Sequence, residues 1–227
     1  ASSCFELASR AKPSPCTIPA EMAMTFWGCE SHAENYGGTL VVTQSAQGWQ
    51  QLAYRAGLNA VCEAYPRPGR NDLLLCLWAD QHQGSAFYRV DVVDLSVPEL
   101  EKGWKELVEA RDNSIEACYA GVDDLPIVSH QIDHAELVDL DHDGKLDLVV
   151  PVRAQKGRAT ADYRAACTAA MEPTTTKADD PARLLPKPVV VKLTFRFAGQ
   201  SFVPMGITST VQRWLHQEND AFLAAVN

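Results

Sequence analysis

The 227 residues contain no C-x-x-C pair, no G-x-S-x-G elbow and no phosphate-cradling glycine loop. The first absence removes the zinc ribbon and the thioredoxin-like redox motif. The second removes the sequence sign of an α/β-hydrolase nucleophile. Gly37-Gly38 stands just before a strand pattern and reads as a turn. Basic charge is in short supply. The net charge is −9, which argues against nucleic acid, whose phosphates must be met by Lys and Arg. No apolar run approaches the length of a membrane span. No N-x-S/T sequon occurs, and that points towards a bacterial source. No targeting segment is read in these residues, and the opening Ala1-Ser2-Ser3 has small residues of the kind expected after signal cleavage, or is a chain start without that meaning.

Seven cysteines are present: Cys4, Cys16, Cys29, Cys62, Cys76, Cys118 and Cys167. Dispersed in this way they suggest disulfides and an oxidising compartment. The expected location is extracytoplasmic, either the bacterial periplasm or outside the cell. Cys62 and Cys76 bracket a Pro/Gly cluster, a turn signal, so they could face each other across a hairpin. Cys118 and Cys167 flank the acidic segment described next and could staple its surroundings. Cys4, Cys16 and Cys29 form an N-terminal trio with one thiol left over, read as a buried free cysteine in preference to a reactive one.

Asp139-Leu140-Asp141-His142-Asp143-Gly144-Lys145-Leu146-Asp147 reads D-x-D-x-D-G-x-x-D. Hard cations take oxygen ligands, and alternate carboxylates on a curling backbone supply them. A helical EF-hand would carry a bidentate Glu at the twelfth position, which here is Val150. The flanks, Ala135–Val138 and Leu146–Val152, are short apolar runs rich in branched residues, so the loop is expected to join two strands. Pro151 is expected to end or edge the outgoing strand. Asp147 then takes the place of the missing Glu. The alternative is an acidic surface turn without an ion. Four carboxylates in nine residues repel one another unless something neutralises them, and Lys145 is a single partial counter-charge. Calcium is expected over magnesium, because a flexible carboxylate cage suits the larger ion.

The run E-L-V-D-L-D-H-D-G-K-L-D-L-V-V resembles the calcium loop of FG-GAP/VCBS-type repeats, found in integrin-like propeller blades. The resemblance implies a loop between two blade strands. It implies as ligands the side chains of Asp139, Asp141, Asp143 and Asp147 and the carbonyl of Lys145. It covers about residues 135–152 and extends weakly to 188–202, a hairpin that could follow in the same blade. The chain holds one such loop where a complete propeller repeats it, so the resemblance bears on the local site more than on the whole fold.

The fold class expected is mainly β with a few helices, a β-rich α+β arrangement of antiparallel hairpins, blade-like where the resemblance applies, closed by a C-terminal amphipathic helix. Residues 1–37 read as an irregular cysteine-containing segment, and 38–227 as one β-rich domain. Strands are expected over 39–43 and 49–54, over 73–79 and 86–95 around a turn at 81–85, and over 189–197 and 202–205. Ser96-Val97-Pro98-Glu99 reads as a capping box opening a helix whose Leu100, Trp104, Leu107 and Val108 share a face. A second helix is expected over 159–171, then an exposed loop over 172–188. Val211, Trp214, Leu215, Phe222 and Ala225 recur at helical spacing, placing the last helix at about 209–225 with its apolar face in the core.

His130 and His134, four apart, could chelate zinc if helical. They lack the H-E-x-x-H order, and the segment reads as loop or strand, so two exposed or hydrogen-bonded histidines are the plainer reading. His142 falls at a non-ligand position and should face solvent. Two functions therefore stand. One is an exported, non-catalytic, calcium-stabilised binding or structural module whose partner is an unknown protein or glycan. The other is a secreted hydrolase with a metal or thiol site involving His130 and His134.

Overall fold

The computed structural model describes residues 21–26, 38–56, 60–67, 72–82, 84–97, 100–121, 124–171, 180–199 and 201–216. Cys4, Cys16 and Cys29 lie outside the described residues, as do 172–179 of the expected exposed loop and 217–227 of the expected last helix. The fold is mainly β, with antiparallel sheets and a few short helices. Contacts divide it into two compact units, Ala1–Asp80 with Arg89–Val108 and Gln81–Tyr88 with Glu109–Asn227.

In the first unit, β1 (Glu21–Phe26), β2 (Gly38–Ser45) and β3 (Gly48–Ala56) form an antiparallel sheet in that order. β1 lies inside the segment read as irregular. Its Ala23 and Thr25 are buried, and Thr25 Oγ1 donates to Ala60 O at 2.5 Å. A single buried alternation between cysteines is too short to announce a strand. β4 (Ala60–Tyr65) pairs with β5 (Leu73–His82) so that Cys62 stands directly opposite Cys76. Their Cα atoms are 4.0 Å apart and the sulfurs are bonded. β6 (Ser85–Asp94) follows across the expected turn.

The capping-box helix is corrected by the structure. α1 covers Leu100–Gly103, and the chain then becomes β7 (Trp104–Asp112). Gly103 marks the change: a Cβ there would lie 2.7 Å from the Asp94 carbonyl oxygen. Beyond it Val108 and Ala110 are buried on alternate positions, so the same apolar residues fit a strand once sheet neighbours exist, and tertiary packing overrides a weak helical preference. Trp104 packs with Leu74, Val93 and Leu95 in the core, while its Nε1 donates to the buried Asp91 Oδ2 at 2.9 Å.

The second unit is built around the long β10 (Asp147–Ala159). β11 (Val189–Phe197) pairs along one side, and β12 (Phe202–Pro204) pairs with β11. Along the other side, β8 (Leu125–Ile132) pairs with 152–159 and β9 (Glu136–Val138) with 147–149. Pro151 therefore neither ends nor edges the strand, contrary to expectation. It pairs with Lys192 of β11, and on its other side it falls in the gap between the β8 and β9 pairings. A missing N–H there leaves no ladder bond unmade. α2 (Ser114–Tyr119) and α3 (Ala161–Met171) are joined by the Cys118–Cys167 disulfide. They pack with Leu125, Ile127 and Leu185. The described end of the expected exposed loop is thus more ordered than its composition suggests. Pro181–Leu184 forms a 3-10 turn and Leu185 is buried. Residues 208–216 are helical, with Leu215 buried and the Thr208 hydroxyl accepting from Thr194 N at 2.9 Å and donating to Thr194 O at 3.0 Å. No helix among the described residues is long and apolar enough to cross a membrane.

Candidate metal centre

β9 and β10 are the two arms of a hairpin whose loop is 139–146, the arrangement expected from the branched flanks. Val138 and Asp147 are paired at its base. The loop is wound by its own carboxylates. Asp139 Oδ1 accepts from Asp143 N at 3.1 Å and its Oδ2 from Gly144 N at 2.9 Å. Asp143 Oδ1 accepts from Lys145 N at 2.8 Å. Two residues adopt left-handed backbone, Gly144 at φ 81° and His142 at φ 61°. Glycine does so at little cost, and His is among the few other residue types enriched there. The curl folds alternate side chains inward, and the carboxylates of Asp139, Asp141 and Asp143 each present an oxygen within 4.8 Å of the others. Among the described residues no other group of three His, Cys, Asp or Glu side chains converges in this way.

Electrostatics explain how such a loop survives. Lys145 Nζ donates to Asp143 Oδ2 at 2.9 Å. That bond holds the Asp143 carboxyl below its ordinary range and raises the Lys145 ammonium above its own. Arg196 of β11 donates from Nη2 to Asp141 Oδ2 at 2.6 Å. Sequence reasoning missed this second cation, 55 residues away along the chain. The register puts it there, since Leu148 pairs with Phe195 and the next step brings Arg196 to the loop end of the hairpin. Only strand alternation in β11 could have flagged it as outward-facing.

Asp147 differs from the other three. It is 2% exposed, and its Oδ2 is buried and accepts no hydrogen bond from any described residue. A buried acceptor without a donor costs about 1–3 kcal/mol, and more when charged. Asp147 is not one of the three carboxylates that converge; counted together with them, it makes four carboxylates against Lys145 and Arg196. The donor set is all oxygen, which fits a hard cation. Carboxylates that already accept backbone N–H bonds retain lone pairs for a ligand bond.

The histidines are placed apart in character. His130 lies in β8, fully buried, with its ring centroid 5.0 Å from that of Trp214. It is therefore not an exposed histidine. His134 is exposed in the three-residue break between β8 and β9. His142 is exposed within the loop, as expected. Comparison with protein-family models, with curated proteins and with solved structures returns no match.

Proposed function

We propose that residues 139–147 hold a calcium ion and that the chain is an exported, non-catalytic module for binding or structure, stabilised by that ion. The observation that carries this reading is the buried, donorless Oδ2 of Asp147 at the base of a loop whose other three carboxylates already converge. Asp139, Asp141, Asp143 and Asp147 would hold the ion, with the Lys145 carbonyl added by analogy with FG-GAP/VCBS-type loops. When bound, calcium supplies charge neutralisation and a fixed loop geometry. Four carboxylates and a carbonyl approach the six to eight oxygens it takes, so the role is structural. Magnesium suits the site less, because it demands near-ideal octahedral geometry and gives up water reluctantly. The two disulfides, which persist in oxidising compartments, support export. The partner is a protein or glycan.

The experiment is thermal melting in calcium and then in excess chelator, on the wild type and on Asp139→Ala. The wild type should melt lower in chelator, because an ion that binds only the folded state adds RT ln(1 + [L]/Kd) to stability. Coincident wild-type midpoints would sink the reading.

A further inference from the structure

In the second unit, five polar side chains lie on one face of three neighbouring strands. Asp112 of β7 is paired with Ser129 of β8. Ser129 is paired with Gln155 of β10, and Gln131 with Arg153. A sheet face turned towards a covering segment is normally apolar; this one carries buried Asp112 and Ser129. The segment that covers it is 180–188, held by Gln155 Nε2, which donates to Ala182 O at 3.1 Å and Pro186 O at 2.8 Å. Between face and strap is a cleft of about 650 Å³, within the roughly 300–1,000 Å³ typical of small-molecule sites.

The polar face is internally wired. Asp112 Oδ2 accepts from Ser129 Oγ at 2.7 Å and Gln131 Nε2 at 2.8 Å, and Oδ1 accepts from Ser114 N at 2.9 Å. Gln131 Oε1 in turn accepts from Arg153 Nη2 at 2.5 Å, and the same Nη2 donates to Asp133 at 3.1 Å. The Asp112 carboxylate is thus consumed in holding the floor, and the Gln131 amide is fixed at both ends. Arg153 is oriented through one nitrogen, while its Nε and Nη1 make no hydrogen bond to described residues. Across the cleft, Arg183 and Lys187 line the strap, and neither side chain has a hydrogen-bond or ion-pair partner among the described residues. Three cationic side chains lining one cleft, two of them without a partner among the described residues, are unusual on a chain of net charge −9.

We propose that this cleft binds a small organic carboxylate. With both Nη2 hydrogens engaged, Arg153 offers Nη1–H or Nε–H for a single charge-assisted hydrogen bond to a carboxylate, and Arg183 and Lys187 supply the remaining positive field. Ile115, Leu185, Pro181 and Pro188 add apolar wall, which suits a ligand with a carbon skeleton. Asp112 and Asp180 also border the cleft and repel a doubly charged phosphate more strongly than a carboxylate. The site is independent of the calcium loop: from Asp147 to Arg153 along β10 is roughly 20 Å at strand rise.

The test is isothermal titration of the full chain with glutarate, and separately with inorganic phosphate, at matched ionic strength. It is repeated on the double variant Arg183→Ala with Lys187→Ala and on Asp139→Ala. Both strap side chains are exposed, so the double variant should melt like the wild type. Saturable glutarate binding is expected, weakened about tenfold or more in the double variant and unchanged in Asp139→Ala. No saturable glutarate binding, or binding unchanged in the double variant, overturns the site. Phosphate binding tighter than glutarate overturns the carboxylate assignment. The loop reading is decided separately by the calcium melts, whichever way the titration falls.

Discussion

Replacing Asp147 by Asn should change the sign of its effect with the metal. Without an ion, the wild type buries a carboxylate oxygen that no described donor reaches, close in sequence to three other aspartates. Making that group neutral removes the larger desolvation cost of a charge and part of the mutual repulsion. In chelator, Asp147→Asn should therefore melt at or above the wild type, by up to about 1–2 kcal/mol of a typical 1–3 kcal/mol penalty for an unpaired buried acceptor. In calcium at about 100 times Kd, the wild type gains about 2.7 kcal/mol. For a chain of 227 residues that is a rise of roughly 5–10 °C. The variant, lacking one carboxylate ligand, should lose most of that rise and melt below the wild type. Differential scanning calorimetry of both proteins, each with calcium and with chelator, reads the four midpoints. An identical offset between the two proteins in both conditions would refute the reasoning, because the side chain would then act through packing alone.

Arg196→Ala should tighten calcium binding by about threefold, since it removes a cation from Asp141 and the exposed pair contributes at most about 1 kcal/mol; titration calorimetry reads this, and weaker binding would contradict it. In the first unit two carboxylates should drive stability in opposite directions with pH. Burial raises Asp91 above its ordinary value, against its bonds from Trp104 and Arg89. Folding therefore takes up a proton there, and its contribution improves as pH falls, completing below about 3.9. At Asp94 burial pulls upward but the Arg67 and Ser96 bonds outweigh it and hold the carboxyl low, so its contribution is present above about pH 3.9 and lost as pH falls through the folded value. Urea unfolding between about pH 7 and 3 should show Asp91→Asn losing ground to the wild type on acidification and Asp94→Asn regaining it; slopes of the same sign would contradict the assignment. Opening the Cys118–Cys167 disulfide, 49 residues apart, should cost more than opening Cys62–Cys76, 14 apart. Loop entropy gives about 4 against about 3 kcal/mol, and paired Cys→Ser variants in chemical denaturation read the order.

What the sequence determined by itself was local. The D-x-D-x-D-G spacing, with branched flanks, is enough to specify a turn between strands, because carboxylate-to-backbone bonds and a left-handed glycine act within nine residues. The same holds for the Cys62–Cys76 pairing, where the Pro/Gly cluster between the cysteines is a turn signal in the sequence and the strands on either side place the sulfurs opposite each other. The strand at Val189–Phe197 and the helical spacing around Trp214 and Leu215 were legible for the same reason.

Tertiary structure decided whatever depended on a neighbour distant in the chain. Trp104–Asp112 carries a helical apolar pattern and becomes a strand, because Gly103 packs against the Asp94 carbonyl and sheet partners are available beyond it. Pro151 survives inside β10 because two different strands share one edge and leave a gap opposite it. Arg196 reaches Asp141 through the β10–β11 register, and the face formed by Asp112, Ser129, Gln131, Arg153 and Gln155 exists only once three strands are aligned. No spacing along the chain encodes those pairings. They follow from which strands bury their apolar faces together, a choice made by the whole core at once.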